Sequence, residues 1–522
     1  MTDAVRVRAR ERARERARHA APRSFVARAA ALTAGLSVAG SGLGLVRDQV
    51  IARLFGAGAG SDAFLVAWTV PELAATVLIE DAMALLLVPA FSAALAKGGT
   101  AALVRGTLPR LAALLAVATA VLYAAAPLVV HLLAPGLADP RLAVSCTRLT
   151  AATVLTFGLA GYLSAALRAH HRFLPPAAVY VAYNAAIITT LLALHARWGV
   201  QAAAAGVAAG GAAMVLVQLP SFVRALRRPP LPAPTPESGG RTVAVGMAVV
   251  APVVLFAVTR QAQVLVERFF AAGLPAGAIS HLNYAQKVAQ LPMVLSLMVC
   301  TVTFPVVARA LAEGDREGAR QRVERDLTLA CVVVLLGTAY VLACAPQIVQ
   351  ALFQRGAFDA ADTAATASVM RVYALGLLGQ SLVGALIRPY FSAGRPTWYP
   401  VAAMAAGLGV TAAADAAAVT AWGAYGIAAG NAAGISLTAA LLLRGLPARA
   451  VPVRIPALTA AVSRYVLAAA AATGAGWCTT RLLPAGTPAV AVAAACCLTV
   501  PLAFATAAAA AGAPVRSLHH AV

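Results

Sequence analysis

The stretch "LAALLAVATAVLYAAAPLVVHLLA", residues 111–134, contains no Asp, Glu, Lys or Arg. Wound as an α-helix it would be about 36 Å long, enough to cross the ~30 Å hydrocarbon core of a bilayer. The stretches 242–259 and 486–512 have the same character. A helix that is apolar all round has no face to offer water, whereas in lipid it satisfies its backbone internally. The rest of the chain agrees: of 522 residues, 61% are hydrophobic and 11% charged, against about 25% charged in soluble domains. Mean hydropathy is +0.81. The sequence therefore specifies an all-α polytopic membrane protein with little chain left for a soluble domain.

The formal charge of +22 would suggest nucleic acid in a soluble protein. Its distribution points elsewhere. Arginine crowds the first 28 residues and then returns in every second connection, for example at Arg105 and Arg110, Arg168 and Arg172, Arg224 and Arg227, Arg388, and Arg444 and Arg449. That alternation is the positive-inside pattern, and it places both termini in the cytoplasm. The tail 1–26 is read as a solvated arm on an anionic inner leaflet, with no nucleic-acid partner expected. No cleavable signal peptide is expected. The seven cysteines lie mostly in apolar segments, without zinc-type spacing, and read as small buried hydrophobes.

Loop charge and apolar length together give fourteen expected spans, near 27–55, 61–95, 108–134, 142–168, 174–195, 199–223, 242–270, 277–311, 325–353, 364–391, 397–419, 423–444, 457–480 and 486–511. The segment "RRPPLPAPTPESGGR", 227–241, reads as a linker. An internal repeat flanks it. "ARLFGAGAGSDAFLVA" (52–67) resembles "ERFFAAGLPAGAISHL" (267–282), and "PAFSAALAKGG" (89–99) resembles "PVVARALAEGD" (305–315). Gly136 and Asp139 then correspond to Gly356 and Asp359, and Arg168 and Pro176 to Arg388 and Pro396. Each copy holds six helices, an even number, so the copies share one orientation. Two parallel lobes are a transporter architecture with a path between them. The expected organisation is a basic tail 1–26, an N-lobe 27–226, the linker 227–241, a C-lobe 242–448, and 449–522 carrying helices thirteen and fourteen with a short tail.

Charges within the spans are concentrated on the first two helices of each lobe. Arg47, Asp48, Arg53, Asp62, Glu72, Glu80 and Asp81 lie in the first lobe, and Arg260, Glu267, Arg268 and Lys287 in the second. A charge at the bilayer centre costs about 2.5–3.5 kcal/mol on insertion scales, so the clustering requires a reason. Arg47, Arg53, Arg260, Arg268 and Lys287 are candidate ligands for a diphosphate, because guanidinium forks match phosphate oxygens. Asp48, Asp62, Glu80, Asp81 and Glu267 are candidates for charge pairing or ion coupling. Arg53 and Arg268 also suit snorkelling to headgroups, and Asp48 suits local neutralisation of Arg47. No P-loop, H-E-x-x-H or G-x-S-x-G is present, so the chain reads as a transporter and not an enzyme. No cofactor or metal is expected. Energy would come from the membrane potential, Na+ or H+.

The stretch "GLVRDQVIARLFGAGAGSDAFLVAWTVPEL" (44–73) resembles the start of the MurJ (MviN-type) lipid II flippases of the MOP exporter superfamily. The likeness continues through "LVPAFSAAL" (87–95), "HRFLPPAAVYVAYNAAII" (171–188), "ISHLNYAQKVAQLP" (279–292), "LFQRGAFDAADT" (352–363) and "RPYFSAGRPTWYP" (388–400). The resemblance implies a fourteen-helix, two-lobe flippase of a bacterial inner membrane. Its cargo would be the undecaprenyl-diphosphate-linked peptidoglycan precursor, moved outward by alternating access, with a tail groove in the last two helices. Arg47 then matches the family arginine of the R-D pair, Asp62 the D-A-F aspartate and Glu80 an acidic position. Lys287 stands where the family has arginine. Ser41, Ala75, Thr76 and Gln290 replace charges of the family pattern. The alternatives are a flippase for another polyprenyl-diphosphate glycan, or a non-transporting scaffold for cell-wall enzymes.

Overall fold

Proline, glycine and aspartate punctuate the apolar sequence, and the helices begin and end on them. A computed structural model of the chain describes residues 32–227, 247–297, 315–392, 397–449, 451–484 and 486–513. The basic tail, most of the linker 227–241, Cys300 and the side chains of Glu80 and Asp81 lie outside the described residues. Helix α1 covers 32–55. Helix α2 (Ala59–Ala75) passes through a π-helical turn, Thr76–Asp81, into α3 (Ala82–Ala96). Then come α4 (Thr100–Leu133), α5 (Pro140–Ala169), the short α6 (Leu174–Ala177), α7 (Val179–Trp198) and α8 (Gln201–Arg227).

The second half holds α9 (Met247–Ala271), α10 (Ala278–Ala289), α11 (291–297) and α12 (Arg316–Phe353). It continues with α13 (Ala360–Ala374), α14 (Leu377–Ser392), α15 (Tyr399–Trp422), α16 (Ala424–Arg449), α17 (Ile455–Leu482) and α18 (Ala489–Ala510). Among the described residues, nine helices are long and apolar enough to cross a membrane, or ten if α13 and α14 form one span bent by 49°. Each of the nine lies on a stretch expected to span. The other helices on expected spans are broken or charged: α2–α3 by Pro71 and the π turn, α9 by Arg260, Glu267 and Arg268.

The repeat landmarks share local structure. Asp139 accepts the Leu142 N–H at 3.0 Å at the start of α5, and Asp359 accepts the Asp362 N–H at 2.9 Å at the start of α13. Both are N-caps, satisfying donors that the first helical turn leaves open. Gly136 and Gly356 both adopt positive φ, +87° and +65°. The structure adds a landmark: α7 and α15 both end in Trp-Gly, and Gly199 and Gly423 share a φ of +53°. Only glycine takes that backbone without strain.

Cα packing divides the chain into two compact units. One contains residues 1–48, 74–124 and 148–239, the other 49–73, 125–147 and 240–522. In the first, Phe91, Tyr162, Leu163, Leu167 and Phe222 form a buried core. Tyr162 keeps its hydroxyl satisfied against Thr107 at 2.8 Å, and Ser164 donates to Gln218 at 2.8 Å. In the second, Phe256, Leu386, Tyr390, Met404 and Leu442 form the core, and Tyr390 donates to the Leu442 carbonyl at 2.7 Å. Where α15 crosses α16, Gly407 faces Thr438 and the Gly434 carbonyl, with no room for a Cβ. Small residues at such crossings let helices approach closely in lipid. Gly407→Ala is expected to cost about 1–3 kcal/mol through overpacking, read as a lower thermal unfolding temperature in detergent.

Helix α12 is kinked. Pro346 has no N–H to donate to the carbonyl four residues back, that of Leu342. Cys344, between them, leaves helical geometry at φ −114°, ψ 17°. The freed carbonyl is captured from outside the helix by Arg371 of α13 (Nε, 3.1 Å) and Trp477 of α17 (Nε1, 3.2 Å). Helices α17 and α18 pack on each other and on α12. Tyr465 stacks on Phe504 with centroids 6.3 Å apart, and Tyr340 donates to the Ala493 carbonyl at 3.2 Å.

Candidate functional site

Within the larger unit, the turn between α1 and α2 meets the start of α10 and the turn before α13. Asp62, one turn into α2, is buried and accepts three hydrogen bonds from the start of α10. They come from the Gly277 N–H at 2.7 Å, the Ser280 N–H at 2.8 Å and the Ser280 hydroxyl at 2.6 Å. A carboxylate from one repeat thus caps a helix of the other, where open N–H groups and the helix dipole both favour negative charge. Gly277 sits at φ +97° with the Ala57 carbonyl so close that no side chain would fit.

A reciprocal set of contacts joins the same segments. The Ala357 N–H donates to the Arg53 carbonyl at 2.8 Å, and Gly356 lies against that carbonyl. Gly136, its repeat counterpart, lies against Gly273 and the Ala272 carbonyl. Asp362 accepts the Ala57 N–H at 3.2 Å and pairs with His281 Nε2 at 3.1 Å. This polar layer was only partly foreseen: Asp62 belonged to the expected set, His281 and Asp362 did not. The sequence signal available for Asp362 was its position three residues after the N-cap Asp359.

The expected substrate ligands are in different situations. Arg47 is buried in the other unit and already engaged. Its Nε and Nη2 donate to Asp48 at 3.0 and 2.8 Å, and its Nη1 to Asn184 at 2.8 Å. Asn184 in turn donates to the Gly40 carbonyl at 2.9 Å. Asp48 is the local counter-ion of Arg47. Arg268 is also buried, donating to the Ile279 carbonyl at 3.2 Å and to Asn283 at 3.1 Å, with Nε unsatisfied among the described residues. Arg53 and Arg260 are exposed. Lys287 is half-buried, its ammonium 5.1 Å from the centre of the Trp68 ring, a cation–π contact.

Glu267 forms the centre of a buried polar group. It accepts from Tyr373 at 2.7 Å and from the Asn431 amide. Asp415 of α15 lies within electrostatic range, fully buried, with neither carboxylate oxygen hydrogen-bonded among the described residues. No group of three or more His, Cys, Asp or Glu that would hold a metal is found among the described residues. Glu80 and Asp81 fall in the π turn of the α2–α3 helix, an irregularity that often marks functional positions. Arg148, exposed on α5 with its guanidinium 5.4 Å from the centre of the Tyr123 ring, is a further charge in a span that the sequence reading passed over.

Comparison with known proteins places this geometry. The family model described as lipid II flippase MurJ matches residues 51–492. Among relatives, the lipid II flippase MurJ of Burkholderia cenocepacia is 28% identical over 389 residues, covering 70% of this chain and 73% of that one. A probable lipid II flippase MurJ of Rhizobium meliloti is 27% identical over 383 residues, covering 69% of each. Among solved structures, a lipid II flippase MurJ in an inward closed conformation aligns with a TM-score of 0.72 at 18% identity, over 91% of this chain and 97% of that one. An inward-facing MATE-family multidrug transporter of the MOP superfamily aligns with a TM-score of 0.62 at 16% identity, over 82% of this chain and 99% of that one. The fold is that of the MOP transporters. With a family match running from α1 into α18, this multi-pass membrane chain belongs to the lipid II flippase MurJ family.

Proposed function

We propose that the chain moves lipid II, a polyprenyl-diphosphate-linked peptidoglycan precursor, from the inner to the outer leaflet of a bacterial inner membrane by alternating access, with both termini cytoplasmic. The observation that carries the reading is the family match across residues 51–492. It is a transporter and not an enzyme. Lys287 is assigned the diphosphate contact, as a cation that the fold leaves half-buried beside an indole. Arg53 and Arg260, both exposed, are assigned to attract the headgroup. Arg268 and Arg47 are each assigned a supporting role within their own units, donating to protein acceptors. Purified protein in liposomes is expected to translocate labelled lipid II, and its gene to sustain growth of cells depleted of their own lipid II flippase. Failure of both, with normal membrane insertion, would refute the cargo.

The neutral residues Ser41 and Ala75 favour one second reading, a flippase for a different polyprenyl-diphosphate glycan. That reading predicts translocation of another lipid-linked glycan and none of lipid II in the same liposomes. A scaffold for cell-wall enzymes would leave Lys287→Ala without phenotype.

For energy coupling, Glu267 is the assigned group, buried and held by Tyr373 and Asn431. Glu267→Gln keeps the shape and removes the charge. Translocation by this variant is expected to lose its response to an imposed cation gradient while the protein stays folded. A response equal to the parent's would remove Glu267 from coupling.

A further inference from the structure

Above the kink of α12, one oxygen fixes two unlike side chains beside each other. The Leu342 carbonyl, freed by Pro346, accepts from the Arg371 guanidinium at 3.1 Å and from the Trp477 indole at 3.2 Å. Arg371 uses only Nε for this bond, and the described residues give its Nη nitrogens no hydrogen-bond partner and no carboxylate. Arg481 follows Trp477 by four residues on α17, which puts it on the same helix face. Two guanidinium-bearing residues and an indole therefore share one corner of the structure.

Its depth follows from the aromatic residues. Trp477 lies five residues before the end of α17, about 8 Å along the axis. It is 46% exposed, and Trp422 and Tyr425, at the turn between α15 and α16, are exposed as well. Exposed tryptophan and tyrosine near helix ends collect at the membrane interface. Leu467, Leu482 and Val490, large apolar side chains exposed on α17 and α18, are suited to acyl chains. A cation facing lipid at this level is costly unless an anion meets it. At headgroup depth the anion within reach is phosphate, which guanidinium donors bind through charge-assisted hydrogen bonds.

We propose that Arg371, Trp477 and Arg481 form a binding site for the phosphodiester headgroup of an anionic phospholipid, seated over the α12 kink and flanked by α13 and α17. The occupant is a bulk membrane lipid and not the diphosphate cargo, because the site opens onto the lipid-facing side of α17. A lipid held there braces the α17–α18 pair against α12 and α13. Cargo translocation plays no part in this proposal, so failure of the proposed function would leave it standing.

The test is lipid binding to delipidated full-length protein in a neutral detergent, followed by native mass spectrometry and by thermal unfolding. Phosphatidylglycerol is expected to bind and to raise the unfolding temperature, and phosphatidylcholine to do so weakly. Arg371→Gln and Arg481→Gln are each expected to weaken phosphatidylglycerol binding about tenfold. Arg371→Gln also disturbs the Leu342 contact, so Arg481→Gln is the cleaner variant, with an unchanged unfolding temperature in the absence of lipid. Equal binding by Arg481→Gln and the parent would overturn the proposal, as would equal affinity for phosphatidylcholine. Displacement of phosphatidylglycerol by an equimolar amount of undecaprenyl diphosphate would overturn it too, by giving the site to the cargo.

Discussion

Arg47→Ala is expected to lose about 3–5 kcal/mol of stability, whereas Lys287→Ala is expected to lose transport and keep the fold. Both residues are cations on membrane helices of a flippase, and from sequence they look alike. Their surroundings separate them. Arg47 and Asp48 are both buried, and three nitrogens of the guanidinium are spent on Asp48 and Asn184. Removing the arginine strands a buried carboxylate, the costly way to break an ion pair. Lys287 is half-buried over Trp68, and its truncation forfeits a cation–π contact worth about 1 kcal/mol. Thermal unfolding in detergent, measured beside lipid II translocation in liposomes, separates the two effects. Arg47→Ala should unfold early. Lys287→Ala should unfold near the parent temperature and translocate at least about tenfold more slowly. Lys287→Arg should restore transport, since the charge is kept and a fork is gained. A stable, inactive Arg47→Ala protein would return that residue to direct cargo binding.

Asp62→Ala should cost a similar amount by a different route. The carboxylate satisfies two backbone N–H groups and one hydroxyl at the start of α10. Deleting it leaves those donors buried without partners and takes away a helix cap, about 3–5 kcal/mol together. Asp62→Asn keeps the shape and one carbonyl oxygen, and should cost about 1–2 kcal/mol. Hydrogen exchange at Gly277 and Ser280 gives a local reading: both amides should exchange faster in Asp62→Ala. Unchanged protection at those two amides would mean that the cap is not what holds α2 to α10.

The Asp62 cap belongs to a wider set of contacts within the larger unit. Residues 49–73 and 125–147 belong to the same compact unit as 240–522. Within it the repeat contacts are reciprocal, Gly356 lying on the Arg53 carbonyl and Gly136 on Gly273. Asp62 even caps the helix whose first residue follows Gly277, the position that the repeat aligns with Asp62 itself. Contacts of this kind, between backbone groups and short side chains, bring these turns close together in a chain rich in alanine and glycine.

Much of this was legible in the residues. Apolar blocks longer than a bilayer's thickness dictate helices, because only a helix satisfies its backbone in lipid within a single segment. The repeat could be read because its landmarks are glycine, proline and aspartate, residues whose backbone roles are nearly unique. Trp198-Gly199 and Trp422-Gly423 escaped because a two-residue match carries no weight until the shared φ of +53° is seen. The family could be identified because its motifs are ordered along most of the chain.

What the sequence by itself determined is therefore the class of fold, the repeated landmarks and the inventory of charges on the apolar helices. Only the tertiary structure decided which of those charges are buried and hydrogen-bonded, as Arg47, Asp62 and Arg268 are. Adjacent residues on a helix point about 100° apart, yet the long Arg47 side chain folds back onto Asp48. The partners of Arg268, Arg371 and Asp62 include backbone carbonyls and N–H groups, which every residue carries and no sequence pattern distinguishes. A charge announces its cost in one dimension, and its partner is chosen in three.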